Sequence, residues 1–167
     1  MFSFSNLGFD NWEDMEKAFP TAKAELKGSA EHPEIEGEVW LYQTEDGVLV
    51  VAEVENLPGK SPYGGVFGFH IHEGESCGGD AFAETKEHYN PKGTIHPYHA
   101  GDLPPLFGNG EDGDAWMAVL TDRFTLDEVL GKTVVIHNKQ DDFTTQPSGN
   151  SGRKIACGVI QKKGRRV

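Results

Sequence analysis

The sequence predicts an all-β domain of short antiparallel strands, and three observations carry the prediction. Apolar residues alternate at Val48, Val50, Ala52 and Val54, the period of two that puts successive side chains on opposite faces of a strand. Asp46-Gly47 separates two such stretches, residues 38–44 and 48–55, and Asp-Gly suits the positive φ angles of a tight hairpin turn. The chain contains 21 glycines and 9 prolines among 167 residues, far more than a helical protein would use, which marks many turns and long loops. Eight or so short strands with such turns favour an antiparallel sandwich or flattened barrel. At this length one domain is expected.

Taken in order, residues 1–21 stand apart as an N-terminal extension. Asn11 can cap a short helix with Trp12, Met15 and Phe19 on one stripe, stopped by Pro20, and its expected role is packing. From Ala22 the pattern switches to alternation, and residues 22–167 are expected to form the domain. Strands are predicted over residues 38–44, 48–55, 66–72, 115–121, 132–138 and 155–161, the last closing the sheet. Residues 73–114 read as one loop, and a loop this long is uncommon unless it is functional or pinned. Thr125-Leu126-Asp127-Glu128 has the capping-box pattern that opens a helical turn, here ended at Gly131. No internal repeat or linker interrupts this stretch.

A formal net charge of −12 at pH 7 argues against nucleic acid or an anionic membrane as partner. The sequence holds no run of eighteen apolar residues, so no membrane-spanning helix is expected. The basic tail Lys162-Lys163-Gly164-Arg165-Arg166 is expected to be a solvated end. Met1-Phe2-Ser3-Phe4-Ser5-Asn6 has neither the basic region nor the apolar core of a signal peptide, which leaves two alternatives open, a cytoplasmic protein or one whose leader has been removed. Two cysteines, Cys77 and Cys157, permit either one disulfide or two buried thiols, and a disulfide would hint at an oxidising compartment.

Chemistry concentrates in the histidines. Six of the seven fall between His70 and His137; the seventh, His32, stands alone and reads as structural. His70 and His72 share one strand face and can reach one ion together, with Phe69 and Ile71 on the other face. Neutral imidazole suits copper and zinc. His70, His72 and His137 lie on predicted strands and begin an all-imidazole set suited to redox-active copper. His88, His96 and His99 with Asp102 would make a closed zinc site of three nitrogens and one oxygen. The all-imidazole set gains a fourth nitrogen donor only if His88 is shared between the two.

These segments together resemble the copper/zinc superoxide dismutases. Gly68-Phe69-His70-Ile71-His72-Glu73 resembles that family's first copper-ligand motif, and His88-Tyr89-Asn90-Pro91 its bridging-histidine motif. His99-Ala100-Gly101-Asp102-Leu103 is similar to its zinc-loop motif, and Val134-Val135-Ile136-His137 with Asp141-Asp142 to its last copper-ligand strand. Gly149-Asn150-Ser151-Gly152 running into Ala156-Cys157-Gly158-Val159-Ile160 resembles its C-terminal signature. The five motifs stand in family order over residues 22–161.

The resemblance implies a Greek-key, immunoglobulin-like sandwich or flattened eight-stranded barrel with long metal-binding loops. It implies copper on His70, His72, His88 and His137, and zinc on His88, His96, His99 and Asp102. Asp141 would bind one ligand of each metal from behind, and Cys77 and Cys157 would pair. The implied reaction is dismutation of superoxide to oxygen and hydrogen peroxide, with His88 both ligand and proton donor. Only Pro97 and Tyr98 separate His96 from His99, so the zinc loop is short, and residues 143–153 make a shortened loop beside copper with no acidic residue and no lysine. Lys154 stands where the family has its substrate-holding arginine, which keeps the charge but loses the planar fork; Arg153 is the competing candidate. Lys154, Arg153 and Lys139 would set a local field against the acidic whole. The alternative reading is a non-enzymatic copper/zinc-binding module on the same fold. Relatives pair through different faces or stay single, which leaves a homodimer open.

Overall fold

The computed structural model describes residues 20–59, 65–109 and 112–163. The short helix expected near Asn11 and the arginines of the basic tail lie outside them. Among the described residues ten strands run in chain order: β1 Ala22–Gly28, β2 Glu36–Gln43, β3 Val48–Glu55, β4 Val66–Phe67, β5 Phe69–His72, β6 Leu106–Phe107, β7 Ala115–Thr121, β8 Thr133–His137, β9 Lys154–Val159 and β10 Gln161–Lys162. All pairings are antiparallel, and eight strands form one curled sheet in the order β5-β8-β9-β1-β2-β3-β7, with β10 beside β1. From β3 the chain crosses to β5 at the far end of the row, returns to β7, and crosses again to β8. Those crossings bring the ends of β5 and β8 together with the loops that join them.

The alternation seen in the sequence is the inward face of the sheet. Ala22, Ala24 and Leu26 of β1, Val39 and Leu41 of β2, and Val48, Val50, Ala52 and Val54 of β3 are buried with Phe69, Ile71, Val134 and Ile136 in one core. Apolar area removed from water there is the main stabilising term. A smaller cluster, Tyr42, Leu49 and Val51 with Trp40 and Leu120 against it, lies on the opposite face.

Three expectations need correction. The strand predicted over residues 66–72 is broken at Gly68, whose N–H donates to the Lys139 carbonyl at 2.7 Å and whose carbonyl accepts the His137 N–H at 2.8 Å. A Cβ there would lie 2.9 Å from Ser151, so the residue passes too close to its neighbours for a side chain. The loop over 73–114 is not without regular structure: β6 pairs with β4, and Asp80–Thr85 forms a 3₁₀ segment. The closing strand divides into β9, which lies between β8 and one end of β1, and β10, which pairs with the other end of β1. The capping box holds: Glu128 accepts the Thr125 N–H at 2.6 Å and its hydroxyl at 2.8 Å, opening the one-turn helix α1, Leu126–Val129. Among the described residues no helix is long and apolar enough to cross a membrane.

Candidate metal centre

The six clustered histidines converge on the outward face of β5 and β8. On β5 the alternation puts Phe69 and Ile71 in the core and turns His70 and His72 the other way, as the spacing requires. His137 ends β8, where the ladder to β9 is irregular between Ile136 and His137. His88 reaches the same place from the long loop, paired with His72 in a single bridge, while Asp102 bridges to His70. All six histidines and Asp102 are buried.

Hydrogen bonds fix which ring nitrogen is left for a ligand role. His72 Nδ1 donates to the Lys86 carbonyl at 2.8 Å, and His137 Nδ1 makes a longer contact of 3.4 Å to the Gly152 carbonyl. Both Nε2 atoms then carry lone pairs, yet they face each other at 3.2 Å. With both lone pairs turned inward, a metal cation held between the two rings would satisfy both. His70 donates Nε2 to Asp141 at 2.8 Å, which leaves its Nδ1 buried without a partner, and His88 Nε2 is similarly orphaned. Ligand atoms of His70, His72, His88 and His137 lie within 4.8 Å of one another.

The second group is built on Asp102. One carboxylate oxygen lies 2.8 Å from His88 Nδ1 and 3.4 Å from His99 Nδ1, and the other lies 3.1 Å from His96 Nδ1. Nδ1 of His96 and of His99 are buried without an aligned hydrogen bond. His88, His96, His99 and Asp102 also hold ligand atoms within 4.8 Å, so His88 contributes a nitrogen to each group. Each unsatisfied buried polar atom costs about 1–3 kcal/mol, and a metal dication on each side removes that cost. Burial pushes His70 and His72 well below the usual imidazole range and brings His137 down to about 3. Neutral rings are the form that binds metal.

Asp141 ties the groups together, one oxygen accepting from His70 and the other from His96, both at 2.8 Å. Gly149 packs against that carboxylate with φ of +66°, and a Cβ there would lie 2.7 Å from His96 Nε2. Cys77 and Cys157 form a disulfide that pins the long loop to β9. Lys154 Nζ donates to Thr85 Oγ1 at 2.7 Å and to the Lys86 carbonyl at 3.1 Å, and burial lowers its pKa. Lys154 also faces His137 across the β8–β9 ladder. Arg153 instead turns to the surface and pairs with Glu31 at 3.1 Å.

Two supports have no signal in the sequence. Arg123 Nη1 approaches the carbonyls of Pro97, His99 and Asp102 at 3.1, 3.4 and 3.3 Å. Gln146 pairs reciprocally with the His96 backbone at 2.9 and 2.8 Å. Both clamp the short stretch between the second and third histidines of the Asp102 group from sequence positions far outside it.

An all-β sheet carrying two buried ligand groups joined through one imidazole defines a metalloprotein with a paired copper and zinc centre. The chain belongs to the copper/zinc superoxide dismutase family: residues 35–160 match the family model described as copper/zinc superoxide dismutase (SODC). It is 35% identical over 155 residues to superoxide dismutase [Cu-Zn] 2 of Aquifex aeolicus, covering 82% of this chain and 88% of that one. It is 36% identical over 132 residues to the superoxide dismutase [Cu-Zn] of Legionella pneumophila, covering 75% and 77%. Among solved structures, the Cu/Zn superoxide dismutase from Brucella abortus superposes with a TM-score of 0.70 at 26% identity, over 84% of this chain and 99% of that one. A SOD-like protein from Bacillus subtilis gives 0.69 at 28% identity, over 85% and 99%.

Proposed function

We propose that this chain dismutates superoxide to oxygen and hydrogen peroxide, with copper held by His70, His72, His88 and His137 and zinc by His88, His96, His99 and Asp102. The observation that carries the reading is His88, whose two ring nitrogens face different donor groups. Bound copper supplies the one-electron couple that oxidises one superoxide and reduces the next. His88 Nε2 is the atom that holds a proton when it is not a ligand, so the same ring that joins the two groups can deliver a proton to the reduced substrate. His88 Nδ1 and an Asp102 carboxylate oxygen, 2.8 Å apart, would be fellow ligands of the zinc, which would keep the ring oriented during the exchange. Asp141 fixes the tautomers of His70 and His96 from behind.

Lys154 is the cation that attracts and steadies the anion. It neighbours His137 across the ladder, whereas the Arg153 guanidinium is occupied at the surface by Glu31. A binding module that only stores or delivers metal has no need of this partly buried cation. The test is a dismutase assay on protein loaded with copper and zinc beside apo protein. Activity restored by both metals together supports the reading; loaded protein no more active than apo protein overturns it.

A further inference from the structure

Across the ladders, His70 pairs with Val135, Val135 with Cys157 and Cys157 with Lys27. The four residues make one row on the outward face of the sheet, with a copper-side histidine at one end and a lysine at the other. Val135, between the histidine and the disulfide, is fully buried. On the lysine side the disulfide borders a surface groove of about 420 Å³, lined by both cysteines and by Phe82 of the 3₁₀ segment. Cys157 is 3% exposed, whereas Cys77 is partly exposed.

The groove reverses the charge of the molecule. Lys23, Lys27, Lys162 and Lys163 line it, with Glu25 as its one carboxylate, in a chain whose formal net charge is −12. Glu25 pairs with Lys23 at 3.2 Å, and Lys23 is also held by Glu38. Lys27, Lys162 and Lys163 make no ion pair among the described residues; Glu36 stands opposite Lys27 on β2 without forming one. Screening over about 8 Å at physiological salt lets such a local field outweigh distant carboxylates. Two independent features therefore meet in one place. The disulfide selects the chemistry, because thiolates open it by exchange, and the lysines select the charge.

We propose that this groove is the entry site for an anionic thiol, one that carries a carboxylate or sulfonate besides its sulfur, and that such a thiol opens the Cys77–Cys157 bond. Its thiolate attacks Sγ of Cys77, the sulfur nearer to solvent. The S–S bond breaks, a mixed disulfide forms at Cys77, and the Cys157 sulfur leaves as a thiolate that takes a proton from water. A second thiolate attacks the sulfur of the bound thiol, releasing Cys77 as a thiolate and the small-molecule disulfide. The two thiols supply the two electrons.

The test measures opening of the disulfide in the full chain loaded with copper and zinc, under argon and with thiol in large excess, by alkylation and mass. Three probes are compared: 2-mercaptoethanesulfonate, 2-mercaptoethanol and cysteamine, whose thiolate forms are dianionic, monoanionic and zwitterionic. Each rate is divided by that thiol's rate with an uncharged model disulfide, which removes differences in thiol pKa and nucleophilicity. At low ionic strength the sulfonate should exceed cysteamine by about tenfold, the low end of what a charged cleft contributes to association, and added salt should bring the ratio towards one. Lys27→Gln with Lys162→Gln should collapse the ratio without added salt. Cysteamine as fast as the sulfonate in the parent protein overturns the proposal, because the rate then follows net charge or none. So does a ratio that salt or the double substitution leaves unchanged, or a disulfide that no thiol opens while the protein stays folded. The salt series on the parent decides the matter even if the double variant fails to fold.

Discussion

His72 and Lys154 donate to the same oxygen, the Lys86 carbonyl, at 2.8 and 3.1 Å. One backbone group therefore sets both the ring orientation of a copper-side histidine and the position of the cation beside it. The 3₁₀ segment Asp80–Thr85 supplies the third partner, Thr85 Oγ1. A change at residue 154 should be felt in the charge near the copper group and in the loop that orients His72.

Lys154→Glu should lower the dismutase rate most, Lys154→Ala less, and Lys154→Arg should retain or raise it, since a guanidinium offers two aligned donors to a diatomic anion. Rates measured against ionic strength check this, because screening with a Debye length of about 8 Å at physiological salt weakens steering. Arg153→Ala should leave both rate and salt dependence unchanged.

His137→Ala should remove copper and activity while zinc stays, because His137 joins only one donor group. Asp102→Ala should do the reverse, lowering zinc occupancy with copper still bound. Metal analysis of each variant decides both outcomes. Loss of both metals in either single variant would show that the two groups do not form independently.

Arg123→Ala should speed zinc dissociation about tenfold, equivalent to roughly 1.4 kcal/mol, by releasing the carbonyls of Pro97, His99 and Asp102. Copper occupancy should not change. Stopped-flow release of zinc to a chelator measures the rate, and Arg123→Lys should fall between the two.

Gly149→Ala should destabilise the protein by about 2 kcal/mol or more, from the left-handed backbone alone together with contact against Asp141. Urea unfolding of the metal-free protein reads the loss without interference from ligation. A variant as stable as the parent would mean that Asp141 moves aside, and its hold on His70 and His96 would then be weaker than the geometry implies.

Cys77→Ser removes a link between residues 80 apart in sequence, worth up to about 4.5 kcal/mol in loop-closure entropy. Thermal unfolding under non-reducing conditions should show a large fall in midpoint, matched in the parent protein by adding reductant.

Much of the centre is legible in the sequence because metal ligation demands particular residue types at short range. His70 and His72 share a face by strand periodicity alone, and His96, His99 and Asp102 sit close enough along one loop to be grouped before any fold is known. The strands over residues 48–55 and 115–121 keep the bounds that alternation assigns them, since one buried face fixes register strongly. The capping box at Thr125 is likewise a local matter of four residues.

What the sequence does not contain is any pattern for contacts between distant segments. The break at Gly68 follows from the closeness of Lys139, His137 and Ser151, and β6 exists because β4 lies beside it. Arg123 and Gln146 carry no motif, and their roles depend on three carbonyls and one peptide unit brought within reach by the fold. That Lys154 turns toward Thr85 while Arg153 turns toward Glu31, the basis for proposing Lys154 as the cation near copper, is likewise set by the β9 ladder. Local chemistry determines which residues can bind a metal; only the crossings of the sheet determine what stands behind each of them, because hydrogen bonds between side chains far apart in sequence exist only after the strands have paired.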